Sequence, residues 1–122
     1  MREAVISFIR MATERREFTQ AEIDAAWEKA IKQPNNNPDV FRKDYAGAWI
    51  RKSDYGETTD YGWEIDHLIP LAQDGTYSLD NLIPMHWRNN RTKGDDYPRW
   101  RTSMTSDGVN NIEREQRWED RR

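Results

Sequence analysis

A chain of 122 residues that is 35% hydrophobic and 34% charged has apolar material for one modest core and not for a second. Six tryptophans and five tyrosines make that core aromatic. With no cysteine in the chain, disulfides and cysteine zinc knuckles are excluded, and any metal falls to Asp, His and Asn. No apolar run of roughly 18 residues exists, which excludes a helical membrane span. No secretory signal is read at the amino terminus, so the expected setting is cytoplasmic, without membrane contact.

In chain order, residues 2–16 place Ala4, Val5, Phe8, Ile9 and Ala12 at helical spacing and predict an amphipathic first helix. Thr19 followed by Glu22 is a capping-box signature. Ile23, Trp27, Ala30 and Ile31 form the apolar stripe of a second helix, over 20–33, that stops near Pro34. The segment QPNNNPD is a loop, because two prolines and three asparagines disfavour both helix and ladder pairing. Residues 39–46 read as a short helix, and Gly47 to Ile50 as the start of a strand before turn residues 53–59.

From Tyr61 to His67, Tyr61, Trp63 and Ile65 alternate with Gly62, Glu64 and Asp66, the pattern of a half-buried strand. Residues 74–81 are turn-rich, Leu82 to Met85 reads as the returning strand, and His86 to Lys93 as a helix closed by Gly94. Beyond Pro98, Val109, Ile112 and Trp118 among many charges predict a carboxy-terminal helix that must dock to be stable. The expected organisation is α+β: a helical extension over 1–36, one domain over 37–103 and a charged tail or helix over 104–122.

The net charge of −3 hides an uneven distribution. Arg88, Arg91, Lys93, Arg99 and Arg101 face only Asp95 and Asp96 in their stretch, and Arg42, Lys43, Arg51 and Lys52 surround Asp44. The first group adjoins the segment from Trp63 to Asp95, which holds both histidines, His67 and His86. It is the candidate nucleic-acid contact.

Cleaving a phosphodiester requires a base within reach of water, a cation on the phosphate or leaving oxygen, and a scaffold that holds the two. His67 can serve as a base at neutral pH. Asp66 is its neighbour, so on a regular strand the two side chains face opposite ways, and a twist or bulge at the strand end is expected to bring both to one cleft. On the following helix, His86 and Asn90 are four residues apart and Lys93 is three further, all on one face. Carboxylate and amide oxygens suit Mg²⁺ or Mn²⁺, and an imidazole ligand shifts the preference toward Mn²⁺, Ni²⁺ or Zn²⁺.

Asp66-His67, then Leu79-Asp80-Asn81-Leu82, then Asn89-Asn90-Arg91-Thr92-Lys93-Gly94-Asp95 resemble the HNH endonucleases. The preceding GAWIRKSDYG and YGWEIDH look like the lead-in of small bacterial and phage members, so the likeness covers about residues 38–96. The resemblance implies a ββα-metal (His-Me finger) core of a hairpin plus a helix, and one divalent metal ion. It makes Asp66 the first ligand and His67 the general base. Asn81 would hold the backbone near His67, and Asn90 would complete the metal site in an HNN version of the motif. His86 matches a position that is a ligand in colicin-like nucleases and a zinc-knuckle cysteine in others, and both readings stay open. Lys93 and Arg91 would contact phosphate or steady transition-state charge. Without a zinc knuckle, packing of Trp63, Trp87 and Trp100 is the expected brace between helix and hairpin.

The function so implied is metal-dependent endonucleolytic cleavage of DNA, with RNA open as a substrate. A noncatalytic nucleic-acid- or partner-binding module on the same fold is the alternative, as is a nuclease active only in a homodimer or within phage or restriction machinery.

Overall fold

The computed structural model describes residues 16–122, so the helix expected over 2–16 lies almost wholly outside the described residues. What is described is a mixed α/β protein with two α-helices and three two-stranded antiparallel sheets.

Helix α1 is Gln20–Glu28. Its capping box is complete: the Glu22 amide donates to Thr19 Oγ1 at 3.2 Å, and the Thr19 amide donates to Glu22 Oε1 at 2.9 Å. The helix is shorter than the apolar spacing predicts. Ile31 instead exchanges two backbone hydrogen bonds with Lys43, at 2.8 and 3.0 Å, and a β-branched residue offered an open strand edge takes it. Lys29, at the helix end, donates to the carbonyls of Leu79 and Leu82 and ties α1 to the central hairpin.

Strands β1 (Phe41–Lys43) and β2 (Trp49–Arg51) pair in register Phe41↔Arg51 to Lys43↔Trp49. The short helix expected over 39–46 is thus a strand and a turn. Asp44 Oδ1 accepts the amides of Ala46 and Ala48, at 3.0 and 2.9 Å, and competes with helix for those donors. Gly47 closes the turn at φ 92°. Arg42, from the second basic group, is buried and donates to the carbonyls of Pro38 and Trp27.

The central hairpin is β3 (Trp63–His67) and β4 (Leu82–His86), paired from Trp63↔His86 to His67↔Leu82. One face carries Trp63, Ile65 and Leu82, which join Ala26, Trp27, Ala30 and Ile50 in the core. Trp27 and Trp63 lie 5.4 Å apart, and Tyr55 meets Trp63 edge-on at 4.9 Å. Helix α2, Trp87–Lys93, follows directly and packs on the other face, ending at Gly94.

The carboxy-terminal segment is not a helix. Strands β5 (Arg99–Asp107) and β6 (Asn110–Glu119) form a long hairpin that packs on α2. Its signals are legible in retrospect: Trp100, Thr102 and Met104 alternate inward, and Asp107-Gly108 is a hairpin-turn dipeptide, with Gly108 at φ 60°. The boundary placed between 103 and 104 falls inside β5.

Candidate active site

Because β3 alternates, Glu64 and Asp66 face α2 while Ile65 and His67 face the α1 side. Pairing runs without a register shift, so no bulge turns Asp66 and His67 to the same side. They meet because His67 ends the strand and the cavity wraps around that end. This cavity, of about 520 Å³, is walled by Asp66, His67 and Asn90, with Phe18, Tyr77 and Asp95 around them.

Asp66 is buried against Lys93, whose side chain is fully enclosed. Lys93 Nζ lies 3.1 Å from Asp66 Oδ2, at an angle too poor for a hydrogen bond, and donates to Asp66 Oδ1 at 3.5 Å and to the His67 carbonyl at 3.3 Å. Burial pushes the Asp66 carboxyl up to about 7. The Lys93 charge opposes that rise, and Asp95 adds to it. Lys93 is therefore a buried counter-ion to Asp66, where the sequence reading put a phosphate contact or a group steadying transition-state charge.

The His67 ring lies between Phe18, 5.4 Å away, and Tyr77, which it meets edge-on at 4.7 Å. Its Nε2 is enclosed with no hydrogen-bond partner. Burial lowers the ring's pKa, the charges of Arg16 and Lys93 lower it further, and Glu22 opposes them. The imidazole is thus neutral near pH 7.

Asn81 is buried under the loop that leaves His67. Its Oδ1 accepts the Ile69 amide at 2.8 Å, and its Nδ2 donates to the carbonyls of Ile69 and Thr76 at 3.0 and 2.9 Å. Gly75 allows this loop to close, since a Cβ there would stand 1.7 Å from the Ile69 carbonyl oxygen. On α2, Asn90 donates Nδ2 to Glu64 Oε1 at 3.1 Å, and Arg91 lies 3.3 Å from Glu64 Oε2.

The structure does not bring His86 to this cluster. It pairs with Trp63, four residues along β3 from His67, roughly 13 Å away, and lines a different cavity. Its Nδ1 accepts the Arg88 amide at 3.1 Å, so the proton sits on Nε2, which donates to the Asp60 carbonyl at 2.9 Å. Burial holds this ring neutral as well. Both nitrogens are committed, and the ligand reading of His86 is corrected: it caps α2.

Sequence reasoning missed the neighbour, Asn89, and its partner Asp44. Asp44 Oδ2 accepts the His86 amide at 3.0 Å and Asn89 Nδ2 at 2.9 Å. Asn89 Nδ2 also donates to the Met104 carbonyl, and its Oδ1 accepts the amides of Ser103 and Met104 at 2.9 and 2.7 Å. Those amides lie at the register shift between Thr102 and Met104, where an extra residue leaves ladder groups in need of partners. This buried clasp ties α2 to the β1–β2 turn and to β5. Trp63 and Trp100 are buried, as the packing reading expected, while Trp87 is partly exposed and donates Nε1 to the Thr59 carbonyl.

The arginines expected to meet nucleic acid are exposed, and each faces a carboxylate. Arg88 lies 3.3 Å from Glu113, Arg91 3.3 Å from Glu64, Arg99 3.2 Å from Glu119 and Arg101 2.9 Å from Glu115. Exposed pairs of this kind contribute little to stability. Among the described residues, no group of three or more His, Cys, Asp or Glu side chains is placed to share a metal ion, and no helix is long and apolar enough to cross a membrane.

The family model described as HNH endonuclease matches residues 51–96, a span that includes β3, β4, α2 and the cavity residues Asp66, His67 and Asn90. No curated protein and no solved structure compared with the chain matches it. By that match, residues 51–96 are similar to the HNH endonuclease family.

Proposed function

We propose that the protein is a metal-dependent endonuclease that hydrolyses DNA phosphodiester bonds at the cavity beside Asp66. The observation that carries this reading is the convergence of Asp66, His67 and Asn90, from the end of β3 and the middle of α2, on one cavity.

The side chains fit a hard divalent cation such as Mg²⁺ or Mn²⁺. Asp66 presents a buried carboxylate whose Oδ2 makes no hydrogen bond, and Asn90, its nitrogen engaged by Glu64, has an amide oxygen to offer. Such cations are commonly held by one or two protein oxygens, with water and substrate phosphate completing the shell. The imidazole that would favour Ni²⁺ or Zn²⁺ is not supplied by His86. Held by Asp66 and Asn90, the cation would supply charge stabilisation for the phosphate and the leaving 3′ oxygen.

The steps assigned to the chain's own residues begin at His67. With Nε2 enclosed, the nitrogen that meets cavity water is Nδ1, and a neutral ring with its proton on Nε2 leaves the Nδ1 lone pair free to accept a proton from water. The hydroxide oxygen bonds to phosphorus, the bond from phosphorus to the 3′ oxygen breaks, and that oxygen takes up a proton. The products are 5′-phosphate and 3′-hydroxyl ends. Asn81 holds the backbone after His67 and so fixes the ring. Lys93 balances the Asp66 charge within the fold. One site cuts one strand per encounter, so nicked circles form before linear DNA.

The test is conversion of supercoiled plasmid to nicked circles by the wild type and by His67→Ala, with Mg²⁺, Mn²⁺ or Ni²⁺ and with a chelator. Metal-dependent nicking that falls by about 10²–10⁴-fold in His67→Ala supports the reading. Equal cutting by the variant, or no cutting with any metal, sinks it.

A further inference from the structure

Two rungs join β3 to α2: Asp66 to Lys93, and Glu64 to Asn90. The first is an ion pair. The second joins a carboxylate to an amide that has two chemically different ends. A carboxylate only accepts hydrogen bonds, so the end of Asn90 that faces Glu64 must be the NH₂ group. The amide oxygen then lies on the other side of the Asn90 plane, and Asn90 is part of the cavity wall shared with Asp66 and His67. Glu64 is held in turn by Arg91, 3.3 Å from its second oxygen, and its side chain is 25% exposed.

We propose that Glu64 is a positioning residue, held by Arg91, that fixes the Asn90 side chain with its oxygen toward the cation site. This rests on the assignment of Asn90 as a cation ligand. Without Glu64, the Asn90 amide turns freely, and its NH₂ end, which cannot ligate a cation, faces the cavity for part of the time. A positioning partner of this sort commonly accounts for about 10–100-fold in metal affinity.

The isosteric variant Glu64→Gln makes the test specific. Arg91 takes the new amide's oxygen, because a cation prefers it, and the new NH₂ group then faces Asn90 and turns the Asn90 oxygen away from the cavity. Removing the cation as well, in Glu64→Gln with Arg91→Ala, frees the new amide to present its oxygen to Asn90, and the original orientation returns. Two readouts follow this cycle. The first is the ¹⁵N-resolved side-chain amide signal of Asn90, identified by its loss in Asn90→Asp. The second is Mn²⁺ affinity by titration calorimetry, without substrate.

The expected result is a displaced Asn90 amide signal and about tenfold or more weaker Mn²⁺ binding in Glu64→Gln, with both restored toward wild type in the double variant. An Asn90 signal unmoved in Glu64→Gln overturns the positioning role. Mn²⁺ affinity that stays low in the double variant overturns it too, because Glu64 would then act as a ligand. Wild-type protein that binds no Mn²⁺ overturns the cation site itself, and with it the purpose assigned to Glu64. Wild-type binding that Glu64→Gln leaves unchanged overturns the role of Glu64 alone.

Discussion

The two ends of α2 handle buried polar groups in opposite ways. At the amino-terminal end, Asp44 receives four N–H donors, from Ala46, Ala48, His86 and Asn89. Asn89 is fully buried with both ends of its amide engaged, and both nitrogens of His86 are bonded. At the other end, no protein group hydrogen-bonds His67 Nε2 or Asp66 Oδ2, the latter held only by the Lys93 charge at 3.1 Å; among the described residues only Gln116 Oε1 also lacks a hydrogen bond. A buried polar atom left without any partner costs about 1–3 kcal/mol, and a catalytic role or a bound water or ion is among the reasons such an atom is found. The saturated end is built to hold, and the other end carries the cavity proposed for chemistry.

The largest expected effect that tests this contrast is at Asp44. Asp44→Ala strands four donors at once, two of them on α2 and its cap, and should lower stability by about 4 kcal/mol, read as a fall in the urea midpoint. Asn89→Ala, which frees the Ser103 and Met104 amides, should cost about 2–3 kcal/mol and loosen β5 from α2, visible as faster amide exchange at Met104. If both variants melt like the wild type, the amino-terminal end is not the brace and the contrast fails.

At the cavity end, the buried ion pair should be replaceable. Asp66→Leu with Lys93→Met removes both charges together, and such exchanges are commonly neutral or stabilising by about 1–4 kcal/mol. The double variant should keep or raise the urea midpoint while losing Mn²⁺ binding and nicking. A fold that collapses under this exchange would make Asp66 and Lys93 structural partners like Asp44 and Asn89.

The smallest effect belongs to the start of α1, which borders the cavity through Phe18. Thr19→Ala should cost about 1 kcal/mol. Arg16, and then the Thr19 amide, hold the Glu22 carboxyl at about 2, below its ordinary 4.5. Its folded pKa is the lower one, so this contribution is complete above about pH 4.5 and is lost as the pH falls toward 2. Helical circular dichroism followed between those values should show the loss in the wild type, and a smaller loss in Glu22→Gln.

Much of the central unit was legible in sequence. Alternation from Tyr61 to His67, the turn residues before Leu82 and the glycine after Lys93 are local signals, and β3, β4 and α2 lie where they predict. The capping box of α1 was equally local. Asp66, His67 and Asn90 could be nominated from the resemblance of their motif to the HNH endonucleases, and the fold brings all three to one cavity.

What only the tertiary structure decided were choices between local options of similar energy. The i, i+4 spacing of His86 and Asn90 marks one helix face and cannot say that His86 begins the helix roughly a strand's length from His67. Lys93 reads as a surface cation until β3 places Asp66 beside it. Asn89 becomes a clasp only because Asp44, 45 residues earlier, and Met104, 15 later, close around it. The segment after Pro98 carries helical and strand signals together, and the buried face of α2 selects the hairpin. Short-range periodicity determined which elements form around the site; contacts between residues far apart in the chain determined which polar groups are satisfied and which face the cavity.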